Sequence, residues 1–196
     1  MTTVVPDWFY RAMATPYDDR FIDVDGVPIH YLEWGDREQP GLVLVHGGAA
    51  HVHWWTFLAP MFAEDWHVVA LDLSGHGDSG RREAYSHEAW AEEVMAVTEA
   101  AGFPGPPVVV GHSLGGMVTI QTASDHGHRL RGAVIVDTPV RRPDPESEEG
   151  ARGRAFKSPG TYPDLDTALG HFRLIPPQPC DHDFIVDHIA RHSLHE

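Results

Sequence analysis

Four short apolar segments without polar alternation recur along the first two thirds of the chain. They are residues 42–45, 68–71, 108–110 and 133–136, all rich in Val, Leu, Ile or Ala. Continuous apolar segments of this length are typical of strands that are buried on both faces, as in a parallel sheet covered by helices. The pattern therefore predicts four core strands.

A hairpin is predicted ahead of these strands. Residues 21–24 and 27–34 are strand-like and are separated only by Asp25 and Gly26. An Asp-Gly pair tolerates the positive φ that a tight antiparallel turn requires. We expect two antiparallel strands to lead into the parallel sheet.

Helical periodicity fills the gaps between the core strands. Apolar residues at 90, 94, 97 and 101 recur at helical spacing, which predicts a helix over 86–101 closed by Gly102. Residues 114–126, followed by Gly127, predict a second helix, and residues 52–63 a third. This alternation indicates the α/β class, with right-handed crossovers and a mostly parallel, doubly wound sheet.

The character of the chain changes after Asp137. Residues 138–163 are rich in Pro, Arg, Glu and Gly, whereas 164–172 and 181–195 have helical patterns, the latter with Asp181 as its expected N-cap. We therefore divide the chain into an α/β core over residues 1–137 and a partial helical lid over 138–196.

Composition excludes several partners. The 196 residues carry a net charge of −15, so nucleic acid and anionic membrane surfaces are poor partners. With Cys180 as the single cysteine, no disulfide is possible within the chain, and we see no secretory signal or apolar span of ~20 residues. A cytoplasmic location is expected. His51 and His53 lack carboxylates at a recognised spacing, so neither a metal nor another cofactor is expected.

A G-x-S-x-G pattern carries the clearest chemistry. Gly111 to Gly115 directly follow one predicted strand and directly precede a helix, with Ser113 at the centre. A sharp turn between glycines would hold the Ser113 hydroxyl above the sheet at a helix N-terminus, and the backbone N–H of Leu114 would face an oxyanion. The alternative is a tight turn that merely needs small residues; we favour Ser113 as a nucleophile.

A second oxyanion donor is expected after an earlier strand. His46, Gly47 and Gly48 follow the segment 42–45, and small residues there let the backbone approach a ligand. We assign this donor to the N–H of Gly48, with Ala49 as a rival.

A third motif, the eight residues from Asp72 to Ser79 (DLSGHGDS), lies between these two in the chain. With the three motifs in this order, the chain resembles the α/β-hydrolase fold family, in its lidded esterase, C–C hydrolase and perhydrolase-like branch. Because Ser113 stands where the haloalkane dehalogenase and epoxide hydrolase branches have Asp, the resemblance implies chemistry on a small carboxylic ester or related acyl substrate. The Asp72–Ser79 loop itself is expected to be held by its own side-chain hydrogen bonds.

The resemblance also implies a catalytic acid and then a histidine after Ser113, with two further core strands beyond the lid. We find one further strand, and the helix from Asp181 has no stop signal before the last residue. The last core strands and the catalytic histidine are therefore expected to lie outside this chain. Asp137 is a weak candidate for the acid and more often a polar cap of a strand end.

Three functions follow from this pattern. The first is a serine hydrolase with its histidine outside the chain; the others are a non-catalytic binding protein of the same fold and an inactive fragment of a longer enzyme. If the sheet ends at residues 133–136, its apolar edge is unpaired. We expect either self-association or a complementing C-terminal fragment there.

Overall fold

The computed structural model describes residues 4–138, 140, 160–175 and 177–194. The chain forms two compact units, one of residues Pro6–Val140 and one that contains the described residues from 160 onward. The segment 138–163 that was predicted to lack strands lies largely outside the described residues, as does part of the residue range assigned to the lid. None of the helices in the described ranges is both long and apolar enough to cross a membrane.

A six-stranded sheet is the centre of the first unit, with strand order β1-β2-β4-β3-β5-β6. Strands β3 to β6 run parallel to one another, whereas β2 is antiparallel to both β1 and β4. The strands are β1 (Asp18–Val24), β2 (Val27–Trp34), β3 (Gly41–Val45), β4 (His67–Leu71), β5 (Val108–His112) and β6 (Gly132–Val136). The predicted α/β class and mostly parallel sheet are confirmed.

The leading hairpin is confirmed in its register as well. Val24 pairs with Val27 across the turn, and Asp25 and Gly26 have φ values of 55° and 80°. Two consecutive residues with positive φ form the turn that matches the right-handed twist of the flanking strands.

The helices of the first unit are α1 (Asp7–Ala14), α2 (His87–Ala101) and α3 (Leu114–His126). The Ser86 hydroxyl caps α2 by accepting from the N–H of Ala89, and Gly102 ends it with φ 68°. Both features agree with the predicted bounds. Helix α1 was not predicted, although Pro6 directly before Asp7 is a common start of a helix.

The predicted helix over residues 52–63 is wrong. Two short 3-10 turns, Val52–Trp54 and Ala59–Met61, occupy this segment, and the N–H groups of Trp55 and Met61 donate to carbonyls three residues back. Pro60 lacks an N–H, and its ring crowds the preceding turn, so a continuous α-helix cannot run through it.

The two faces of the sheet have separate cores, as the alternation of side chains requires. One face carries Val43, Val45, Val69 and Leu71 and packs against Val94 and Val97 of α2 and Val118 of α3. The other carries Leu42, Leu44, Val68 and Ala70 and packs against Val52 and Ala59. The central strands are therefore buried on both sides and hold their loops rigidly.

The second unit contains two helices that pack against each other, α4 (Leu165–His171) and α5 (Asp183–His192). Asp164 caps α4 by accepting from the N–H of Thr167. The predicted cap of α5 is wrong: His182 is the N-cap, without a side-chain hydrogen bond, and Asp183 lies in the first turn. A carboxylate there stabilises the positive end of the helix dipole instead.

Candidate active site

The topology of the sheet brings the two glycine motifs together. Strands β3 and β5 are parallel neighbours, with Val45 opposite Gly111, although β4 lies between them in sequence. Strand β4 lies on the far side of β3, so the chain changes direction across the sheet between β3 and β5. In open parallel sheets, a crevice outside the carboxyl ends of the strands forms at such a point.

Ser113 lies at the turn between β5 and α3 in a backbone conformation that is rare for a residue with a side chain. Its φ is 53° and its ψ is −115°, and it makes no side-chain cap hydrogen bond to the helix. Such conformations cost of order 1–3 kcal/mol and persist only where the surroundings enforce them. The half-buried Ser113 is therefore held in place by its neighbours.

The flanking glycines allow this turn because both lie against backbone. A Cβ at Gly111 would overlap the carbonyl oxygen of Gly115, and a Cβ at Gly115 would overlap the carbonyl oxygens of Val45 and His46. No side chain fits at either position without moving a core strand or helix. The spacing of the G-x-S-x-G pattern thus has a steric cause in this fold.

Hydrogen bonds fix Ser113 from the side of β6. Its N–H donates to the carbonyl of Val136 at 3.0 Å, and its own carbonyl accepts from the Thr138 hydroxyl at 3.0 Å and from the N–H of Gly116 at 3.0 Å. The sequence reasoning missed Thr138, because nothing local to it indicates a partner 25 residues earlier in the chain. These bonds supply the constraint that a strained turn needs.

The loop after β3 packs directly onto this turn. A Cβ at Gly47 would lie 3.0 Å from the His112 ring and 3.3 Å from the Ser113 Cβ, so a side chain there would have to push these neighbours by a few tenths of an ångström. The Cβ direction of Gly48 points toward the Leu114 side chain at 3.8 Å, and Ala49 has a positive φ of 53°. The structure brings the predicted residues Gly48, Ser113 and Leu114 into one place.

The backbone N–H of Leu114 is suited to an anion. Leu114 is the first residue of α3, and the first N–H groups of a helix have no partner within it. The partial positive charge of the helix N-terminus adds to this effect. The arrangement leaves Gly48 and Ala49 both available as the second donor.

His46 holds the glycine loop and is not free to act as a base. Its Nδ1 donates to the Gly47 carbonyl at 2.7 Å, and its Nε2 accepts from the N–H of Leu73 at 3.1 Å. Complete burial lowers the pKa of His46 to about 4, against the opposing effect of Asp72. The ring is neutral at pH 7 and serves as a structural link between the loops after β3 and β4.

Asp72 connects the same loops to β2. Its buried carboxylate accepts from His30 Nδ1 at 2.7 Å, from the N–H of Val52 at 2.7 Å and from the N–H of Asp78 at 3.1 Å. Burial opposes its ionisation, but the His30 hydrogen bond and the nearby His46 outweigh that effect and lower the pKa of Asp72. The sequence analysis missed the His30 partner, which lies on β2, because their contact depends on the order of the strands in the sheet.

His30 is correspondingly stabilised as a cation. Burial opposes its charge, but the hydrogen bond that His30 donates to Asp72, and the negative charges of Asp72 and Asp19, raise the pKa of His30; the Asp19 carboxylate is 3.2 Å from Nε2. His30, Asp72 and Asp78 have donor atoms close enough to hold a metal ion. We interpret them as a hydrogen-bonded network instead, since His30 Nδ1 and Asp72 Oδ2 are already bonded to each other at 2.7 Å.

The expected hydrogen bonds within the Asp72–Ser79 loop are present. The Ser79 hydroxyl donates to the Asp72 carbonyl at 2.6 Å and accepts from the N–H of His30 at 2.8 Å. Gly77 packs on the Asp72 carboxylate, where a Cβ would overlap it. The loop is thus held by Asp72 and Ser79, and it contacts the loop after β3 through the hydrogen bond from Leu73 to His46.

Among the described residues, no histidine ring is hydrogen-bonded to the Ser113 hydroxyl. His76 donates to the carbonyl of Ser74 at 3.4 Å, and burial lowers the pKa of His76. His112 directly precedes the serine and packs against Gly47. Asp137 lies exposed just after β6 with φ 46°. Among the described residues, the site therefore brings Ser113 beside the glycine loop and the first N–H of α3, without a histidine hydrogen-bonded to the serine hydroxyl.

Ser113 lies on a strained strand-to-helix turn, beside a glycine loop at the carboxyl edge of a parallel sheet. This arrangement is the architecture of an α/β hydrolase. A family model described as the alpha/beta hydrolase fold matches residues 40–175. The chain therefore belongs to the α/β-hydrolase fold family.

Named relatives place it among proteins of several activities. The chain is 30% identical over 125 residues to bifunctional epoxide hydrolase 2 of Rattus norvegicus, covering 62% of this chain and 22% of the relative. It is 39% identical over 95 residues to protein phosphatase methylesterase 1 of Bos taurus, covering 45% of this chain and 25% of the relative.

A solved thioesterase domain from the curacin biosynthetic pathway has a TM-score of 0.73 at 24% identity, covering 91% of this chain and 66% of that one, and so supports the fold alone. Among the curated relatives it matches, the chain spans between 22% and 42% of their length.

Proposed function

We propose that this protein is a serine hydrolase that acts on a small carboxylic ester or a related acyl substrate, with Ser113 as its nucleophile. The observation that carries the proposal is the strained backbone of Ser113, which glycines on both sides make possible and hydrogen bonds from β6 enforce. Strain of this kind is concentrated at functional sites, where it presents a side chain that an ordinary turn would hide.

In the proposed reaction the Ser113 oxygen attacks the carbonyl carbon of the ester while a base removes its proton. The negative charge moves to the carbonyl oxygen, which the backbone N–H groups of Leu114 and Gly48 stabilise. The tetrahedral intermediate then expels the alcohol and leaves an acyl-serine, which water hydrolyses in a second step. We propose that the histidine base is not in this chain; in support, His46 and His76 in the loops near Ser113 are committed to other contacts.

A serine rather than an aspartate at the nucleophile position favours ester chemistry over the opening of epoxides. The bovine relative is named a methylesterase, whereas the rat relative is named an epoxide hydrolase. An aspartate nucleophile would form an ester of its own carboxylate, and serine cannot provide that group. The acyl preference within the ester class is left to experiment.

One observation favours a second candidate, a binding protein of this fold without turnover. The Ser113 hydroxyl has no histidine partner among the described residues, and an unassisted serine hydroxyl is a weak nucleophile. A fragment of a longer enzyme, inactive by itself, would behave in the same way. Both alternatives keep the pocket and differ from the first candidate in catalysis.

The test is the reaction with p-nitrophenyl acetate, followed by release of nitrophenolate. We expect slow acylation of about one equivalent of protein with little turnover, and loss of that acylation in Ser113→Ala. Ser86→Ala is the matched control, because Ser86 also lies at a helix N-cap but has ordinary extended φ of −145°. Acylation that survives in Ser113→Ala would contradict the assignment. Full turnover that depends on Ser113 would instead contradict an off-chain histidine.

A further inference from the structure

The peptide unit that joins Ser113 to Leu114 has two ends with different partners. Its N–H, on Leu114, is the proposed donor to an oxyanion, and its carbonyl, on Ser113, points the opposite way because the peptide is planar and trans. That carbonyl accepts from the N–H of Gly116 at 3.0 Å and from the N–H of Met117 at 3.3 Å, both in the first turn of α3. A group that binds the carbonyl therefore also acts on the Leu114 N–H.

The Thr138 hydroxyl adds a donor to this carbonyl that the helix itself does not supply. Its Oγ1 lies 3.0 Å from the carbonyl oxygen of Ser113 and 3.1 Å from that of Val136. A hydroxyl has one proton to donate. The Ser113 carbonyl is the nearer of the two acceptors.

The space for this hydroxyl depends on Gly116. A Cβ at Gly116 would overlap the Thr138 Oγ1 and would lie 2.9 Å from the Thr138 Cβ. Gly116 lies inside α3, where alanine would suit the helix better than glycine. The close approach of Thr138 therefore gives a reason for a glycine at this position.

A hydrogen bond to a peptide carbonyl makes the N–H of the same peptide a stronger donor. Hydrogen bonds in a chain polarise one another, by ~10–30% per bond. The Thr138 hydroxyl, the Ser113–Leu114 peptide and the carbonyl oxygen of a bound ester would form such a chain. The same bond fixes the plane of the peptide, so the direction of the Leu114 N–H is set before a substrate arrives.

We propose that Thr138 is a positioning residue for the oxyanion site: its hydroxyl donates to the Ser113 carbonyl and thereby strengthens and aims the Leu114 N–H. This inference rests on the proposed function, in which that N–H stabilises the tetrahedral intermediate. Loss of one complete oxyanion donor slows a reaction by ~10²–10³-fold. Weakening that donor by ~10–30% therefore corresponds to a slowing of about two- to eightfold.

The experiment measures acylation by p-nitrophenyl acetate over a range of substrate concentrations in wild type, Thr138→Val and Thr138→Ser. Thr138→Val should lower the acylation rate constant at saturation by about two- to eightfold. The half-saturating concentration should not change, because the Leu114 N–H meets a full negative charge only in the transition state. Thr138→Ser keeps the hydroxyl and should restore the wild-type rate.

Thr122→Val is the matched control. The buried Thr122 hydroxyl also donates to a carbonyl of α3, that of Val118 at 2.8 Å, but it does not touch the Ser113–Leu114 peptide. Its acylation rate constant should equal that of wild type.

The ¹³C NMR signal of the Ser113 carbonyl measures the hydrogen bond without any reaction. An accepted hydrogen bond deshields a carbonyl carbon, so this resonance should move upfield in Thr138→Val and return to its wild-type position in Thr138→Ser. Amide spectra of the same samples verify that each variant is folded.

Three results would overturn the proposal while leaving the proposed function intact, provided that wild type is acylated and Ser113→Ala is not. They are equal acylation rates in wild type and Thr138→Val, a slowing that Thr138→Ser does not restore, and a Ser113 carbonyl resonance that does not move in Thr138→Val. A wild type without acylation at Ser113 would instead contradict the proposed function and, with it, this role of Thr138.

Discussion

Replacing Ser113 with glycine should make the protein more stable than replacing it with alanine, although both changes remove the hydroxyl. The pair of angles at Ser113, φ 53° and ψ −115°, is the mirror image of an ordinary extended conformation. Glycine adopts a conformation and its mirror image about equally well, whereas any residue with a Cβ is strained there. Alanine keeps the Cβ and therefore keeps the strain.

The size of the effect follows from two opposing contributions. Relief of strain at one residue contributes ~1–3 kcal/mol, and the additional conformational entropy of glycine in the unfolded chain costs ~0.5–1 kcal/mol. Ser113→Gly should therefore exceed Ser113→Ala by about 1 kcal/mol in free energy of unfolding. For a chain of this size that difference corresponds to roughly 2–4 °C in Tm.

Urea unfolding and thermal melting followed by circular dichroism measure the difference. Ser124 provides the control, because it is an exposed serine of the same helix α3 with helical backbone. There the order should invert, with the glycine variant about 1 kcal/mol less stable than the alanine variant. If glycine is no better than alanine at position 113 while Ser124 behaves as expected, Ser113 is not strained and the argument for a functional turn loses its basis.

Three further changes have expected outcomes. The pKa of His46 is about 4 in the folded protein and ~6.5 in the unfolded chain, so the unfolded chain takes up the proton first as the pH falls. Protonation of His46 in the unfolded chain should therefore lower the free energy of unfolding by about 3 kcal/mol between pH 6.5 and pH 4. In urea denaturation, His46→Gln should have a flatter pH dependence over this range. Gly115→Ala should lower the free energy of unfolding, measured in urea, by about 3 kcal/mol, because the new Cβ would overlap the main-chain carbonyls at the end of β3. Gly132→Ala is the control: it has open space around it and should change the free energy of unfolding by less than about 1 kcal/mol. Asp72→Asn should lower the free energy of unfolding by about 3 kcal/mol, because it removes the carboxylate from a buried hydrogen-bonded pair with His30. NMR titration should find the pKa of His30 lowered, and an unchanged His30 pKa would contradict the network.

Local signals made much of the fold predictable. Asp25 and Gly26 specified the hairpin turn, and Ser86 and Gly102 specified both ends of α2, because each acts through its own backbone or that of a near neighbour. The failures have local causes too. The helix over 52–63 was predicted although Pro60 interrupts the hydrogen bonds that it needs.

The candidate site was predictable only in part. The glycines around Ser113 can be recognised in the sequence, because this turn requires residues without a Cβ and only glycine meets that requirement. The contacts of Asp72 with His30 and of Thr138 with Ser113 depend on how the strands are ordered in the sheet, which no single sequence segment encodes. Sequence patterns thus identify the serine proposed to react, whereas the residues that hold it in place are brought together only by the fold.

The most direct test of the central claim is covalent labelling of Ser113. The protein is incubated with a fluorophosphonate, and the modified residue is identified by intact mass and peptide mapping in wild type, Ser113→Ala and Ser86→Ala. The account predicts one phosphonyl group on the peptide that contains Ser113, its loss in Ser113→Ala and its retention in Ser86→Ala. Labelling at another serine, or equal labelling of wild type and Ser113→Ala, would contradict it.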